Sequence, residues 1–130
     1  MMVYLDTSVA LAQLLAEDQA PPSRLWSETL VSSRLLQYEL WTRINARGLT
    51  RSHAEPVHDL LARIAFVELL PPVLARALEP FPAPVRTLDA LHLASADFLR
   101  ARDPSLRLAS YDDRLCLAAR RLGIELCELG

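Results

Sequence analysis

Met2-Val3-Tyr4-Leu5-Asp6-Thr7-Ser8 carries a change of local structure within a few residues. Met2 to Leu5 is a short apolar run, and after Thr7-Ser8 the residues Leu11, Leu14 and Leu15 recur at helical spacing. A run that is apolar at every position suits a strand covered on both faces, as strands of a parallel sheet are. The same order returns near the other end of the chain. Leu106-Arg107-Leu108-Ala109-Ser110 is followed by Tyr111-Asp112, and then Leu115, Ala118, Ala119 and Leu122 share one helical face. Gly123 stands where a helix C-terminal glycine belongs. An acid beyond a buried strand, at the head of a helix, therefore occurs twice.

Phe66 to Leu70 reads as another strand, Ile124 to Leu129 as a fourth candidate, and Leu30 to Ser32 as a short addition. Leu36, Leu40 and Ile44 mark a helix, and Ser52 to Ala65 predicts a further one with Pro56 in its first turn. Prolines at 56, 71, 72, 80, 82 and 84 break the stretch from Arg47 to Leu88 into shorter pieces. Pro80-Phe81-Pro82-Ala83-Pro84 cannot be regular helix and predicts an extended connector. Alternating strands and helices predict an α/β fold: a central, mainly parallel sheet of four to five short strands flanked by helices, with helix outweighing strand. The 130 residues suit one domain, without repeats or a linker.

Composition narrows the function. At 52% hydrophobic residues the chain can build a core, and no apolar run approaches the roughly 20 residues of a membrane span. The opening residues lack a basic leader and a cleavage site, and the two cysteines match no zinc or redox spacing, so a reduced, cytoplasmic protein is expected. All 14 basic residues are arginine. Without lysine, phosphoacceptor receivers and P-loop nucleotide sites are disfavoured. None of the three glycines follows the first strand, as a dinucleotide fold would require, and Ser8 interrupts the Asp-x-Asp of a haloacid-dehalogenase-like phosphatase.

Four acids occupy unusual places. Asp6 lies beyond the carboxyl end of the first strand, where open parallel sheets bind ligands, although it would equally serve as a helix N-cap. Glu39 falls beside Leu35 on a helical wheel, at the border of the apolar face, and could pair with Arg43 one turn on. Asp89 sits in the first turn of a helix for which Thr87 is a plausible N-cap, where the helix dipole favours an acid anyway. Asp112 repeats the arrangement of Asp6, with Asp113 as a rival, and capping accounts for either. Several carboxylates gathered without cations repel and some take up protons, a conflict that a hard divalent cation removes. Mg²⁺ needs only one or two direct carboxylates and keeps several waters, and such a site can align water against a phosphodiester.

Leu5-Asp6-Thr7-Ser8, Tyr38-Glu39-Leu40, Thr87-Leu88-Asp89-Ala90-Leu91-His92-Leu93-Ala94 and Ser110-Tyr111-Asp112-Asp113-Arg114-Leu115 resemble, in order, the acidic motifs of PIN domains. The third has the form common among VapC-type toxins, and the resemblance runs over nearly the whole chain. It implies a three-layer PIN-like fold in a single domain over residues 1–130. It also implies the toxin half of a VapBC pair: an endoribonuclease dependent on Mg²⁺ or Mn²⁺, with Asp6, Glu39, Asp89 and Asp112 as the catalytic and metal-holding quartet. Thr7 and Ser110 would support the site. Arg43, Arg47 and Arg86 lie near the motifs and could contact RNA phosphate. A homodimer and a VapB-type antitoxin are the partners implied. His92 is common but not universal in the family, and a structural hydrogen bond near Asp89 is its expected role. The rival expectation is a catalytically silent PIN-like scaffold.

Overall fold

A computed structural model describes residues 1–16 and 18–130. Five strands form one sheet in the order β3-β2-β1-β4-β5, every neighbouring pair parallel. They are β1 (Met2–Leu5), β2 (Thr29–Ser33), β3 (Ile64–Val67), β4 (Arg107–Ala109) and β5 (Glu125–Leu126). The helices between them are α1 (Thr7–Leu15), α2 (Arg34–Ala46), α3 (Thr50–Leu61), α4 (Pro71–Ala77), α5 (Thr87–Arg100) and α6 (Asp113–Arg121). A short 3₁₀ helix, Ser23–Ser27, precedes β2.

β1 is the central strand, and Val3, Tyr4 and Leu5 are fully buried. Side chains alternate across a strand. Val3 and Leu5 therefore join one core with Leu36, Leu40, Ile44, Val57 and Leu60. Tyr4 joins the opposite core with Leu93, Ala96, Leu108, Leu115 and Ala118. The apolar stripes of α2 and α3 thus cover one face of the sheet, and those of α5 and α6 cover the other, giving three layers. Each fully buried leucine contributes about 1.5–3 kcal/mol relative to exposure.

The topology positions the site. The chain steps from β1 outward to β2 and β3, then returns to the other side of β1 for β4 and β5. The connections leaving β1 and β4 therefore diverge, and a crevice opens beyond the carboxyl ends of these two neighbours.

Several boundaries differ from the sequence expectation. β3 occupies Ile64–Val67 instead of Phe66 to Leu70, because Ile64 pairs with buried Leu30 and the ladder ends at Ser33 opposite Val67. Leu70 instead caps α4, whose first two positions are Pro71 and Pro72, where missing N–H groups cost nothing. α3 starts at Thr50 and ends at Leu61, so Pro56 falls in its second turn rather than its first. It stands on the exposed face, as does Ser52, whose carbonyl loses its usual donor there. β4 and β5 are shorter than expected, and β2 is longer by one residue at each end. The segment from Pro80 to Pro84 is irregular, with bends at Pro82 and Ala83. Gly123, at φ +85°, ends α6: its N–H reaches the Arg120 carbonyl and that of Ile124 reaches Ala119, both at 2.9 Å.

Candidate active site

Asp6 continues the β1–β4 ladder by one bond, from its N–H to the Ala109 carbonyl at 2.9 Å, and then N-caps α1. Its side chain is almost wholly buried, and Oδ2 accepts from the hydroxyls of Ser8 (2.7 Å) and Ser110 (2.8 Å) and, more weakly, from the Ser8 N–H (3.4 Å). The two serines also accept backbone donors from the β4–α6 turn. Tyr111 N–H donates to Ser8 Oγ and Asp112 N–H to Ser110 Oγ, both at 3.0 Å. Asp6 is therefore anchored by both strand-end loops at once.

Asp112 divides its oxygens between two tasks. Oδ1 caps α6, accepting from the N–H groups of Arg114 (2.9 Å) and Leu115 (3.1 Å), while Oδ2 accepts from Arg86 Nη2 at 3.0 Å. Capping therefore uses one oxygen of Asp112 and leaves the other to Arg86. Its rival Asp113 is an exposed residue in the first turn of α6.

Glu39 projects from α2, and Oε1 accepts from Thr7 Oγ1 at 2.8 Å and lies 2.6 Å from His92 Nε2. The buried imidazole is held from behind by Tyr4, whose hydroxyl is 2.8 Å from Nδ1 and accepts from the Ser33 N–H at 3.1 Å. Burial alone would push the Glu39 carboxyl up, but the hydrogen bonds of His92 and Thr7 and the charges of His92 and Arg43 hold it below its ordinary value. Burial likewise opposes a charged His92, yet the Glu39 hydrogen bond and the carboxylates of Asp6, Glu39 and Asp89 raise its pKa. The structural hydrogen bond expected of His92 is made to Glu39, with Tyr4 behind it.

Asp89 is in the first turn of α5, but Arg86 rather than Thr87 is the N-cap residue, and no side chain caps the helix. Asp89 Oδ2 is buried without a hydrogen bond; Arg86 Nε approaches to 3.4 Å as an ion pair only. Burial, followed by the negative charges of Asp112 and Asp6, pushes the Asp89 carboxyl up.

Asp6, Glu39, Asp89 and Asp112 all line one groove of about 930 Å³, together with Thr7, Ser8, Arg43, Arg86 and Tyr111. The fold thus brings the four predicted acids to one place, with both predicted supporting residues attached. Arg43 and Arg86 line the groove. Arg47, the exposed C-cap of α2, is not among the lining residues. Among the described residues no three His, Cys, Asp or Glu side chains close into a ready-made metal cage; the acids stand around the groove. Sequence reasoning missed Ser8 as an Asp6 partner and Tyr4 behind His92. A hydroxyl two residues after Asp6 was the available signal for Ser8; nothing local marks Tyr4.

The sequence profile of the PIN domain matches residues 3–121, and the chain belongs to the PIN-domain family. Within that family its similarity is to VapC proteins. It is 31% identical over 129 residues to ribonuclease VapC47 of Mycobacterium tuberculosis, covering 94% of this chain and 93% of the relative. It is also 32% identical over 125 residues to ribonuclease VapC46 (94% and 93%) and 29% identical over 135 residues to ribonuclease VapC35 (99% and 98%), both of the same organism.

Proposed function

We propose that this protein is the toxin of a VapBC-type pair, an endoribonuclease that hydrolyses RNA phosphodiester bonds with Mg²⁺ or Mn²⁺. The observation that carries the metal is the buried Oδ2 of Asp89, which accepts no hydrogen bond and has only the exposed Arg86 guanidinium at 3.4 Å, beside Asp6 and Asp112 in one groove. A carboxylate without a donor, with two acids near it, is a group in want of a cation. The donor set suits Mg²⁺ or Mn²⁺ held by one or two direct carboxylates, with water completing the shell. Asp6, Glu39, Asp89 and Asp112 are the residues that would hold it. When bound, such an ion makes water a stronger nucleophile and stabilises the leaving oxygen.

The chain's own groups supply orientation. Ser8 and Ser110 fix the Asp6 carboxylate, Thr7 and His92 fix that of Glu39, and α6 fixes one oxygen of Asp112. Arg43 and Arg86 line the groove and would be the phosphate contacts; Arg47 is the weaker candidate because it lies outside that wall. The three similar proteins are named VapC ribonucleases, which supports RNA as substrate and a VapB-type antitoxin as partner; the homodimer rests on the family resemblance alone. Among the described residues no helix is long and apolar enough to cross a membrane, and a cytoplasmic site of action fits an RNA target. Retention of all four acids around one groove favours an active enzyme over a silent scaffold.

The test is cleavage of total cellular RNA by purified protein with Mg²⁺, with Mn²⁺ and with EDTA. Discrete fragments are expected with metal only. Asp6→Asn and Asp89→Asn should each lower the rate by at least about a hundredfold, the scale of one lost electrostatic contact at a reacting centre, while the circular dichroism spectrum stays unchanged. Equal cleavage by the double variant and the wild type would sink the assignment.

A further inference from the structure

Resting on the metal-nuclease reading above, we infer that Tyr4 and His92 form a positioning strut that aims the Glu39 carboxylate into the groove. The strut begins on β1. Tyr4 is wholly buried between the sheet and α5, and its hydroxyl accepts from the Ser33 N–H, a donor whose direction the backbone fixes. The hydroxyls of Ser32 and Ser95 near it donate to the carbonyls of Leu5 and Leu91, at 2.7 and 2.8 Å. Neither has a proton left for Tyr4. The Tyr4 hydroxyl lies 2.8 Å from His92 Nδ1 and backs the ring on that side. His92 Nε2 lies 2.6 Å from Glu39 Oε1; a carboxylate oxygen only accepts, so Nε2 is the donor of this bond. Thr7 Oγ1 donates to the same oxygen.

Two donors on one oxygen pin Glu39 by a single edge of its carboxylate. Among the described residues no hydrogen bond reaches Oε2, and Glu39 lines the groove. The arrangement leaves one oxygen held and one available. It also ties the position of Glu39, on α2, to β1 and α5, so the central strand and one helix from each layer set one carboxylate. Tyr4 and His92 are buried and do not line the groove, so they act through Glu39. Outer hydrogen-bond partners of this kind typically alter metal affinity or activity by 10–100-fold.

The experiment compares wild type, His92→Phe, His92→Gln and Tyr4→Phe. Mn²⁺ alone is titrated by calorimetry, RNA cleavage is followed with a fluorescent oligonucleotide, and each melting temperature is recorded. Gln can place an amide N–H where imidazole Nε2 stood, whereas Phe cannot. His92→Phe should weaken Mn²⁺ binding by about tenfold or more and lower kcat with KM unchanged. Tyr4→Phe should weaken it by about threefold, the scale of one net hydrogen bond, and His92→Gln should restore affinity to near wild type. If His92→Phe does not fold, the contrast between Tyr4→Phe and His92→Gln decides. Folded Phe variants that bind Mn²⁺ like wild type, or a Gln variant as impaired as Phe, overturn the strut alone. A wild type that neither binds Mn²⁺ nor cleaves RNA overturns the metal-nuclease reading and the strut with it.

Discussion

The two sides of the groove are built differently. On one side Asp6 and Glu39 are tied down: Oδ2 of Asp6 takes two serine hydroxyls, and Oε1 of Glu39 takes Thr7 and His92. On the other side Asp89 has an oxygen with no hydrogen bond at all, and its nearest cation is the exposed Arg86. The first side is a rigid frame finished by folding. The second is left electrostatically incomplete, with like charges close together and one exposed arginine between them. The difference teaches which part of the site folding completes and which part it leaves short of hydrogen-bond donors.

The frame can be broken at Ser110. Ser110→Ala removes a donor from buried Asp6 and the acceptor of the Asp112 N–H. Bonds to a charged group contribute about 1.5–3 kcal/mol, so a loss of about 2 kcal/mol in urea unfolding is expected, with reduced cleavage. A change within experimental error would mean that Ser8 alone holds Asp6, and that the frame is less tightly determined than its geometry implies.

The open side should behave oppositely. The Asp89 carboxyl is pushed up from its ordinary value of 3.8 by burial and by Asp112 and Asp6. The folded chain therefore holds this proton more tightly than the unfolded chain. Its contribution to stability is present below the ordinary value and is lost as pH rises through the raised one. In the absence of divalent metal, Asp89→Asn should accordingly be more stable than wild type at neutral pH, by about 1 kcal/mol, and the advantage should vanish at acid pH. Adding Mg²⁺ should stabilise the wild type by mass action and the variant much less. Thermal melts with EDTA and with Mg²⁺ across pH check both halves; a variant less stable than wild type in EDTA at neutral pH would show that Asp89 is already satisfied.

This contrast also marks what was legible in the sequence. Asp6 and Asp112 could be found because strand, acid and helix start are adjacent in the chain, and the frame of the fold follows from the same local switch of period. Glu39 betrayed itself by lying at the border of an apolar stripe. The misses have a common cause in distant partners. Nothing within Ile64 to Leu70 says where a continuous apolar run starts to pair; β2 decides that, more than thirty residues earlier. Thr87 has the chemistry of an N-cap, but the chain enters α5 one residue sooner, where Arg86 faces Asp89 and Asp112. The Tyr4–His92 contact joins residues 88 positions apart. Periodicity places each in a core and cannot say that they meet.

Arg86 offers the smallest effect and the sharpest discrimination. Its guanidinium is two-thirds exposed while pairing with Asp112 at 3.0 Å and Asp89 at 3.4 Å. Exposed ion pairs contribute little, so Arg86→Ala should change unfolding stability by about 0.5 kcal/mol or less. Ligands should respond more, and in opposite directions. Without the arginine the acids present a more negative site, so Mn²⁺ should bind about two- to threefold more tightly, a shift of the same small electrostatic scale. RNA, deprived of a cationic contact on the groove wall, should bind more weakly, with a shallower dependence on salt. Calorimetry with Mn²⁺ and cleavage kinetics at several ionic strengths separate the two. Weaker RNA binding with unchanged Mn²⁺ affinity would make Arg86 a phosphate contact only. Tighter Mn²⁺ binding with unchanged RNA affinity would make it a stand-in for the cation. A stability loss as large as that of Ser110→Ala would place Arg86 in the frame and erase the distinction between the two sides.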